Sequence, residues 1–108
     1  MMTFKKYIAV SLCGSAMFGG ITNAAEIEVG QTNKAFTQKV VNLKVGDKIK
    51  FTNNDPFFHN VFSLSDAQTF DLGSYPQGQS KSVIFDKPGR VDVECAIHPK
   101  MRLTVEVK

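Results

Sequence analysis

The chain has 108 residues, with 13 Lys and Arg against 10 Asp and Glu, a formal net charge of +3, and 43% hydrophobic residues. That length allows one domain, and the composition excludes a wholly disordered chain or a collagen-like repeat. The excess of basic residues does not by itself indicate a nucleic-acid-binding protein, because the charges first have to be located along the chain.

The first 24 residues have the pattern of an export signal. A pair of lysines at positions 5 and 6 precedes an apolar stretch at 8–21, and small uncharged residues around Ala24 close the segment. A basic start, a short apolar run and a small-residue end are typical of a cleaved signal peptide. An uncleaved membrane anchor is the minor alternative, since the apolar run is short for a membrane-spanning helix. We predict cleavage after Ala24, with Ala25 as the neighbouring choice, and a periplasmic protein.

The mature chain is then a single domain, residues 25–108. Removing the two lysines of the signal leaves 11 basic residues against 10 acidic ones, a net charge of about +1. These charges alternate in sign and form no basic stripe, so we expect no nucleic-acid binding. We expect no membrane span after signal cleavage, and a monomer.

Alternation of apolar and polar residues predicts β-strands through most of the mature chain. In chain order the apolar positions are Ile27 and Val29; Val41, Leu43 and Val45; Ile49 and Phe51; Val61; Val83 and Phe85; Val91, Val93 and Cys95; and Leu103, Val105 and Val107. Turn-forming residues separate these runs at 46–47, 53–56 and 86–89. The regular spacing predicts an all-β fold, an antiparallel sandwich or barrel.

The segment 63–79 departs from this alternation. It is polar and contains Gly73, Pro76 and Gly78. Glycine and proline interrupt regular structure, and a polar run buries little apolar surface. We predict a long excursion that links the two sheets, with one helical turn near 65–69.

The mature chain contains one cysteine, one methionine and two histidines, and three of these four lie within the seven residues from Cys95 to Met101. One cysteine cannot form an internal disulfide. Cys95, His98 and Met101 offer a thiol, an imidazole and a thioether from one short loop, while His59 follows an earlier turn. Two imidazoles and a thiolate with a weak axial thioether are the ligands of a blue-copper site, whereas structural zinc sites prefer several thiolates. We therefore predict one copper ion held by His59, Cys95, His98 and Met101.

Each of these residues alone has an ordinary alternative role. A single Met or Cys is usually a core side chain, and a histidine after a turn is usually solvated. A Cys–His hydrolase pair formed by Cys95 and His98 is a further alternative, but no orienting third group is apparent. We predict no catalytic residue, because every thiol, thioether and imidazole of the mature chain falls in one candidate cluster.

The sequence resembles the cupredoxins, the small type 1 blue copper proteins of the plastocyanin and amicyanin type, some of which are labelled methylamine utilization proteins. Residues 45–55 with the following His59-Asn60-Val61 look like the family motif around the first histidine ligand, and CAIHPKM has the C-x2-H-x2-M form of the short, amicyanin-like loop. The resemblance covers 26–108 and implies a Greek-key sandwich of about seven or eight strands. It also implies equatorial ligation by His59, Cys95 and His98, an axial Met101, and an Asn60 that braces the loop.

The resemblance further implies a function as a carrier of single electrons between redox partners, such as a periplasmic dehydrogenase or a c-type cytochrome, and not as an enzyme. His98 is expected to be the solvent-facing ligand, surrounded by Phe57, Phe58, Ile97 and Pro99. Phe57-Phe58 replaces the smaller residues common before the first histidine. A periplasmic copper carrier or tolerance protein without electron transfer is the alternative, although such carriers commonly add exposed Met or His clusters. A sandwich that holds no metal is the second alternative.

Overall fold

The computed structural model describes residues 24–108, so the predicted signal peptide lies outside the described residues except for its last residue, Ala24. The described part contains nine strands and no helix, and therefore no helix that could cross a membrane. The strands are β1 (Glu26–Thr32), β2 (Ala35–Phe36), β3 (Val40–Leu43), β4 (Lys48–Asn53), β5 (His59–Ser65), β6 (Gln68–Tyr75), β7 (Ser80–Ile84), β8 (Gly89–Glu94) and β9 (Arg102–Val107).

The strands form two sheets, one with the order β2-β1-β4-β7 and one with the order β3-β9-β8-β5-β6. The predicted all-β Greek-key sandwich is confirmed, with nine strands of which β2 has only two residues. The predicted antiparallel pairing holds for five of the seven strand pairs, whereas β1 pairs with β4 and β3 with β9 in parallel. Alternation along one strand determines which residues face the core, but it contains no information about the direction of the neighbouring strand.

The core lies between the sheets and is built from the residues that the alternation singled out. In β4 and β9 every second side chain is buried, as in the run Ile49, Phe51, Asn53. The ring of Phe51 packs edge-to-face against Phe36 with centroids 6.2 Å apart. The buried hydroxyl of Tyr75 donates a hydrogen bond of 3.1 Å to the carbonyl oxygen of Phe51, so the two sheets are joined by a polar contact as well as by packing.

The predicted excursion at 63–79 is instead a β-hairpin, which corrects the sequence prediction. β5 continues to Ser65, the chain turns, and β6 returns antiparallel to it up to Tyr75. No helical turn forms near 65–69. β6 is an edge strand of the five-stranded sheet, and only Phe70 and Leu72 of its partly buried residues pack against the core. Phe70 and Leu72 do alternate with the exposed Thr69 and Asp71, but this run is short and is followed by glycine and proline, which are loop signals in a sequence.

Four connections meet at one end of the sandwich. Because β1 and β4 run parallel and in register, the β1–β2 turn and the β4–β5 loop at 54–58 leave the four-stranded sheet on the same side. The β6–β7 turn and the β8–β9 loop at 95–101 join them there, since β5 and β8 are antiparallel. The β7–β8 turn lies at the opposite end. Any side chains that these four connections carry are thus brought together by the topology.

The packing of Phe51 generates a stability prediction. Phe51→Ala is expected to lower the free energy of unfolding by about 3–5 kcal/mol, because a fully buried aromatic ring is removed and a cavity is left. Leu64→Ala, at a side chain that is 73% exposed, is the matched control and is expected to change it by at most about 0.5 kcal/mol. Urea denaturation of the metal-free protein, followed by circular dichroism, measures both. Equal losses in the two variants would contradict the described core.

Candidate metal centre

His59, Cys95 and His98 converge at the end of the sandwich where the four connections meet. Their candidate ligand atoms all lie within 4.8 Å of one another. The sulfur of Cys95 is 3.8 Å from Nδ1 of His59, and the two imidazole rings have centroids 4.9 Å apart. His59 and Cys95 are buried and His98 is half-buried. His59 at the start of β5 is thus brought next to two residues of the β8–β9 loop, as the sequence predicted.

The β8–β9 loop carries Cys95, His98 and Met101. Cys95 directly follows β8, so its position is set by the last residue pair of a paired strand. The amide N–H of Met101 donates a hydrogen bond of 2.9 Å to the carbonyl oxygen of His98, which closes the loop tightly. Met101 is 1% exposed, so its thioether is enclosed by the protein at the point where the loop returns to β9.

Asn60 braces this loop as the resemblance implied. Its side-chain oxygen accepts a hydrogen bond of 2.8 Å from the amide N–H of Ala96, and its side-chain amide donates one of 3.2 Å to Asp71. The pairing of β5 with β6 shifts register just after Asn60. Such irregularities commonly redirect a side chain next to a functional site. β5 thus carries both His59 and Asn60, the residue that fixes the β8–β9 loop.

A buried carboxylate orients His59, and the sequence analysis did not identify it. Nε2 of His59 donates a hydrogen bond of 2.6 Å to Asp55, which is only 4% exposed. The same carboxylate accepts the amide N–H groups of Asn33 and Lys34 at 2.7 and 2.9 Å. Since Nε2 carries the proton, Nδ1 presents its lone pair toward Cys95, as in carboxylate–histidine–metal arrangements. The available signal was the spacing of four residues between Asp55 and His59.

The electrostatics of Asp55 agree with a permanently ionised carboxylate. Burial alone would raise the pKa of Asp55, but the hydrogen bonds from His59, Lys34 and Asn33 outweigh it and lower the pKa below its usual value. Asn53 shapes the loop that carries this group. Its side chain accepts the N–H of Asp55 and donates to the carbonyl oxygens of Phe57 and Tyr75. The predicted turn at 53–56 is therefore confirmed and forms part of the site.

Phe57 lies against both imidazoles. Its ring centroid is 5.3 Å from that of His59 and 5.4 Å from that of His98. The ring is half-buried, whereas the next residue, Phe58, is mostly exposed. The two aromatic residues that replace the smaller residues common in the family thus differ in exposure. Phe57 shields the cluster from water, whereas Phe58 faces the solvent.

The Nδ1 atom of His98 is buried and has no hydrogen-bond partner among the described residues. Leaving such a group unsatisfied costs roughly 1–3 kcal/mol. Burial lowers the pKa of His98, and the neighbouring His59 and Lys34 lower it further, while Asp55 acts in the opposite direction. A neutral imidazole with a free lone pair, beside a thiol and a second lone pair, fits a copper ion.

Comparisons with known proteins agree with this centre. The family model described as copper-binding proteins of the plastocyanin/azurin family matches residues 23–108. The chain is 30% identical over 109 residues to the methylamine utilization protein MauL of Methylorubrum extorquens, which covers 99% of this chain and 96% of that protein.

Solved structures share the fold. A mutant of amicyanin in its Cu(I) form superposes with a TM-score of 0.71 at 24% identity, over 82% of this chain and 86% of that one. A copper-containing nitrite reductase from Thermus scotoductus gives a TM-score of 0.73 at 23% identity over 85% of this chain, which spans only 24% of the reductase.

The sandwich, the Cys95–Met101 loop and the family match over all the described residues lead to one assignment. The cofactor implied by the donor set is copper. The chain belongs to the plastocyanin/azurin family of copper-binding proteins.

Proposed function

We propose that the protein is a type 1 copper protein that carries single electrons between redox partners, with His59, Cys95, His98 and Met101 as the ligands of one copper ion. The observation that supports this is the preassembled cluster of His59, Cys95 and His98, whose candidate ligand atoms lie within 4.8 Å of one another. A bound copper ion supplies a one-electron couple between Cu(II) and Cu(I). The protein supplies the donors, their orientation and the exclusion of water.

The braces around the cluster suit electron transfer. Asp55 fixes the ring of His59, Asn60 fixes the start of the loop, and the hydrogen bond from Met101 to His98 fixes its end. Donor side chains that are held from several directions move little when the charge of the bound copper ion changes. The barrier to electron exchange is therefore low. His98 is the most exposed of the three clustered residues, so it provides the shortest route for an electron to a partner.

The copper-carrier alternative is less well supported. A carrier has to release its ion, and release is opposed by donors that are buried and braced. The described residues contain no second cluster of three metal-binding side chains. The cavity beside the cluster is lined by Lys34, Ile97, His98, Pro99 and Lys100, and we propose no catalytic role for these residues.

We also propose export to the periplasm with cleavage after Ala24, and partners such as a dehydrogenase or a c-type cytochrome. The amide nitrogen of Ala25 donates a hydrogen bond of 2.9 Å to the carboxylate of Asp47. Cleavage at this bond would turn that nitrogen into an ammonium group in contact with the same carboxylate. The predicted mature N-terminus would thus have an acceptor of opposite charge, which supports Ala25 as the first mature residue.

The colour of the copper-loaded protein tests the proposed function. The oxidised protein is expected to absorb visible light intensely and to be reduced reversibly, whereas Cys95→Ser is expected to lose the intense band with its thiolate donor. Ala96→Ser, at the exposed neighbouring position, is the control and should retain the band. Absorption spectroscopy and cyclic voltammetry measure these properties. An intense band in Cys95→Ser would contradict the ligand assignment, and a wild-type protein without reversible reduction would favour the carrier.

The carboxylate behind His59 gives a second prediction. Asp55→Asn is expected to weaken copper binding by about 10–100-fold, the usual cost of losing a group that orients a metal ligand. The reduction potential is expected to rise, because a negative charge that favours the more highly charged oxidised ion is lost. Competition with a Cu(I) chelator and voltammetry measure the two effects.

Asp47→Asn is the matched control for this experiment. The Asp47 carboxylate also accepts two amide N–H groups, but it lies at the opposite end of the sandwich. Similar losses of copper affinity in both variants would show that Asp55 has only a general structural role.

The pH dependence of the metal-free protein tests the electrostatics of His98. Its pKa is lowered from 6.5, mainly by burial and then by the neighbouring His59 and Lys34. The unfolded chain therefore binds more protons just below pH 6.5, and stability is expected to fall as the pH drops from 6.5 through the folded pKa. Proton NMR titration of the imidazoles measures the pH midpoint at which His98 is protonated in the folded protein. Lys34→Gln is expected to move the His98 midpoint upward, and an unmoved midpoint would contradict the stated cause.

A further inference from the structure

A cavity of about 300 Å³ opens beside His98 at the metal-bearing end. It is lined by Lys34, Ile97, His98, Pro99 and Lys100. Both lysines are exposed, and no Asp or Glu among the described residues lines the cavity. Two ammonium groups therefore flank the half-buried imidazole at the surface through which an electron would leave.

The charges of these two lysines are not compensated. Within residues 24–108, neither Lys34 nor Lys100 belongs to an ion pair. The nearby carboxylate of Asp55 is buried and already accepts three hydrogen bonds. Arg102, at the start of β9, lies 3.6 Å from Glu94 and is thus partly neutralised. The mature chain is nearly neutral overall, so the positive charge at this cavity is a local feature.

Lys34 is held beside the cavity by an unusual backbone conformation. Asn33 and Lys34 form the turn between β1 and β2 with φ values of 54° and 61°. Hairpin turns of this kind favour Asn followed by Gly, because side chains are disfavoured in the left-handed region. The amide N–H of Lys34 is anchored by Asp55, and its ammonium lies 5.8 Å from the ring centroid of Phe57. Lysine at a backbone conformation that glycine adopts more easily indicates that the charge of Lys34 has a functional role.

We propose that the metal-bearing end docks a redox protein with an acidic surface, and that a carboxylate side chain of that partner enters the cavity between Lys34 and Lys100. This inference rests on the proposed electron-carrier function. The exposed side chains of Phe58 and Ile97 supply apolar contact at the same end of the sandwich. The two ammonium groups steer the approach, since complementary charge mainly accelerates association and selects the partner.

Electron exchange with small reagents of opposite charge tests the sign of this surface. The probes are hexacyanoferrate(III), an anion, and tris(phenanthroline)cobalt(III), a cation, each mixed with the reduced protein. Oxidation by the anion is expected to slow as ionic strength rises from about 0.01 M to about 0.1 M, where the Debye length falls from about 30 Å to about 10 Å. Oxidation by the cation is expected to accelerate. The opposite salt dependence for either probe would overturn the proposal.

Variants locate the effect. Lys34→Gln combined with Lys100→Gln is expected to slow oxidation by hexacyanoferrate(III) roughly tenfold at low salt while retaining the visible band. The control is Lys87→Gln combined with Lys44→Gln, which removes the same charge from the opposite end and should change that rate less than twofold. Equal slowing by the two double variants would show that only net charge matters and would refute the assigned surface.

Binding of an acidic peptide supplies a measurement that does not depend on electron transfer. Hexaglutamate added to the reduced protein is expected to shift the amide NMR signals of Lys34, Ile97, His98 and Lys100, whereas hexalysine should not. The shifts should disappear in the Lys34, Lys100 double variant. If the wild-type protein showed no reversible reduction, the proposed function would fail while this peptide binding could still be measured. Shifts centred on another surface, or none, would refute the docking proposal itself.

The variant Lys34→Gly separates charge from structure. Because glycine adopts the left-handed conformation easily, the metal-free variant is expected to be at least as stable as wild type in urea denaturation. It should nevertheless lose the part of the hexacyanoferrate(III) rate that is due to Lys34. A clear loss of stability would show that Lys34 is not strained, and an unchanged rate would show that its charge is not used.

Discussion

The hydrogen bond between His59 and the buried carboxylate of Asp55 is the contact on which the metal-bearing end depends. A buried carboxylate without donors would be costly, and here it receives three. One donor is a metal-binding side chain, and the other two are amides of the β1–β2 turn. The same group therefore determines the tautomer of His59 and the position of Lys34. The chemistry inside the site and the charge at its surface have a common anchor.

The division of labour between sheets and loops explains how the centre can be both rigid and accessible. His59 begins β5 and Cys95 follows β8 directly, so the two buried donors are positioned by paired strands. His98 lies on the short β8–β9 loop, which is restrained by the Ala96–Asn60 and Met101–His98 hydrogen bonds and by the ring of Phe57. The sandwich thus holds the two buried donors precisely, while the loop leaves His98 partly exposed to solvent.

The extent to which the sequence predicts this structure follows from the range of each interaction. The buried positions of β4 and β9 were predictable from alternation, and the donor cluster was predictable from the scarcity of Cys, Met and His. β6 was missed because its alternating run is short and is followed by glycine and proline, which are loop signals. The parallel pairs have no local signal at all. The roles of Asp55 and Lys34 depend on contacts between segments 21 and 22 residues apart, which no pattern within one segment encodes.

The parallel pairing of β3 with β9 has a consequence for how the domain folds. Val40 pairs with Thr104 and Leu43 with Val107, so one of the earliest strands waits for the last of the nine before the five-stranded sheet can form. Closing such long loops before any contact compensates the lost entropy makes folding slow. The loop between β8 and β9 acquires its shape only when β9 is in place. The five-stranded sheet, and with it the end of the sandwich that holds the donor cluster, is therefore complete only once the final strand has paired.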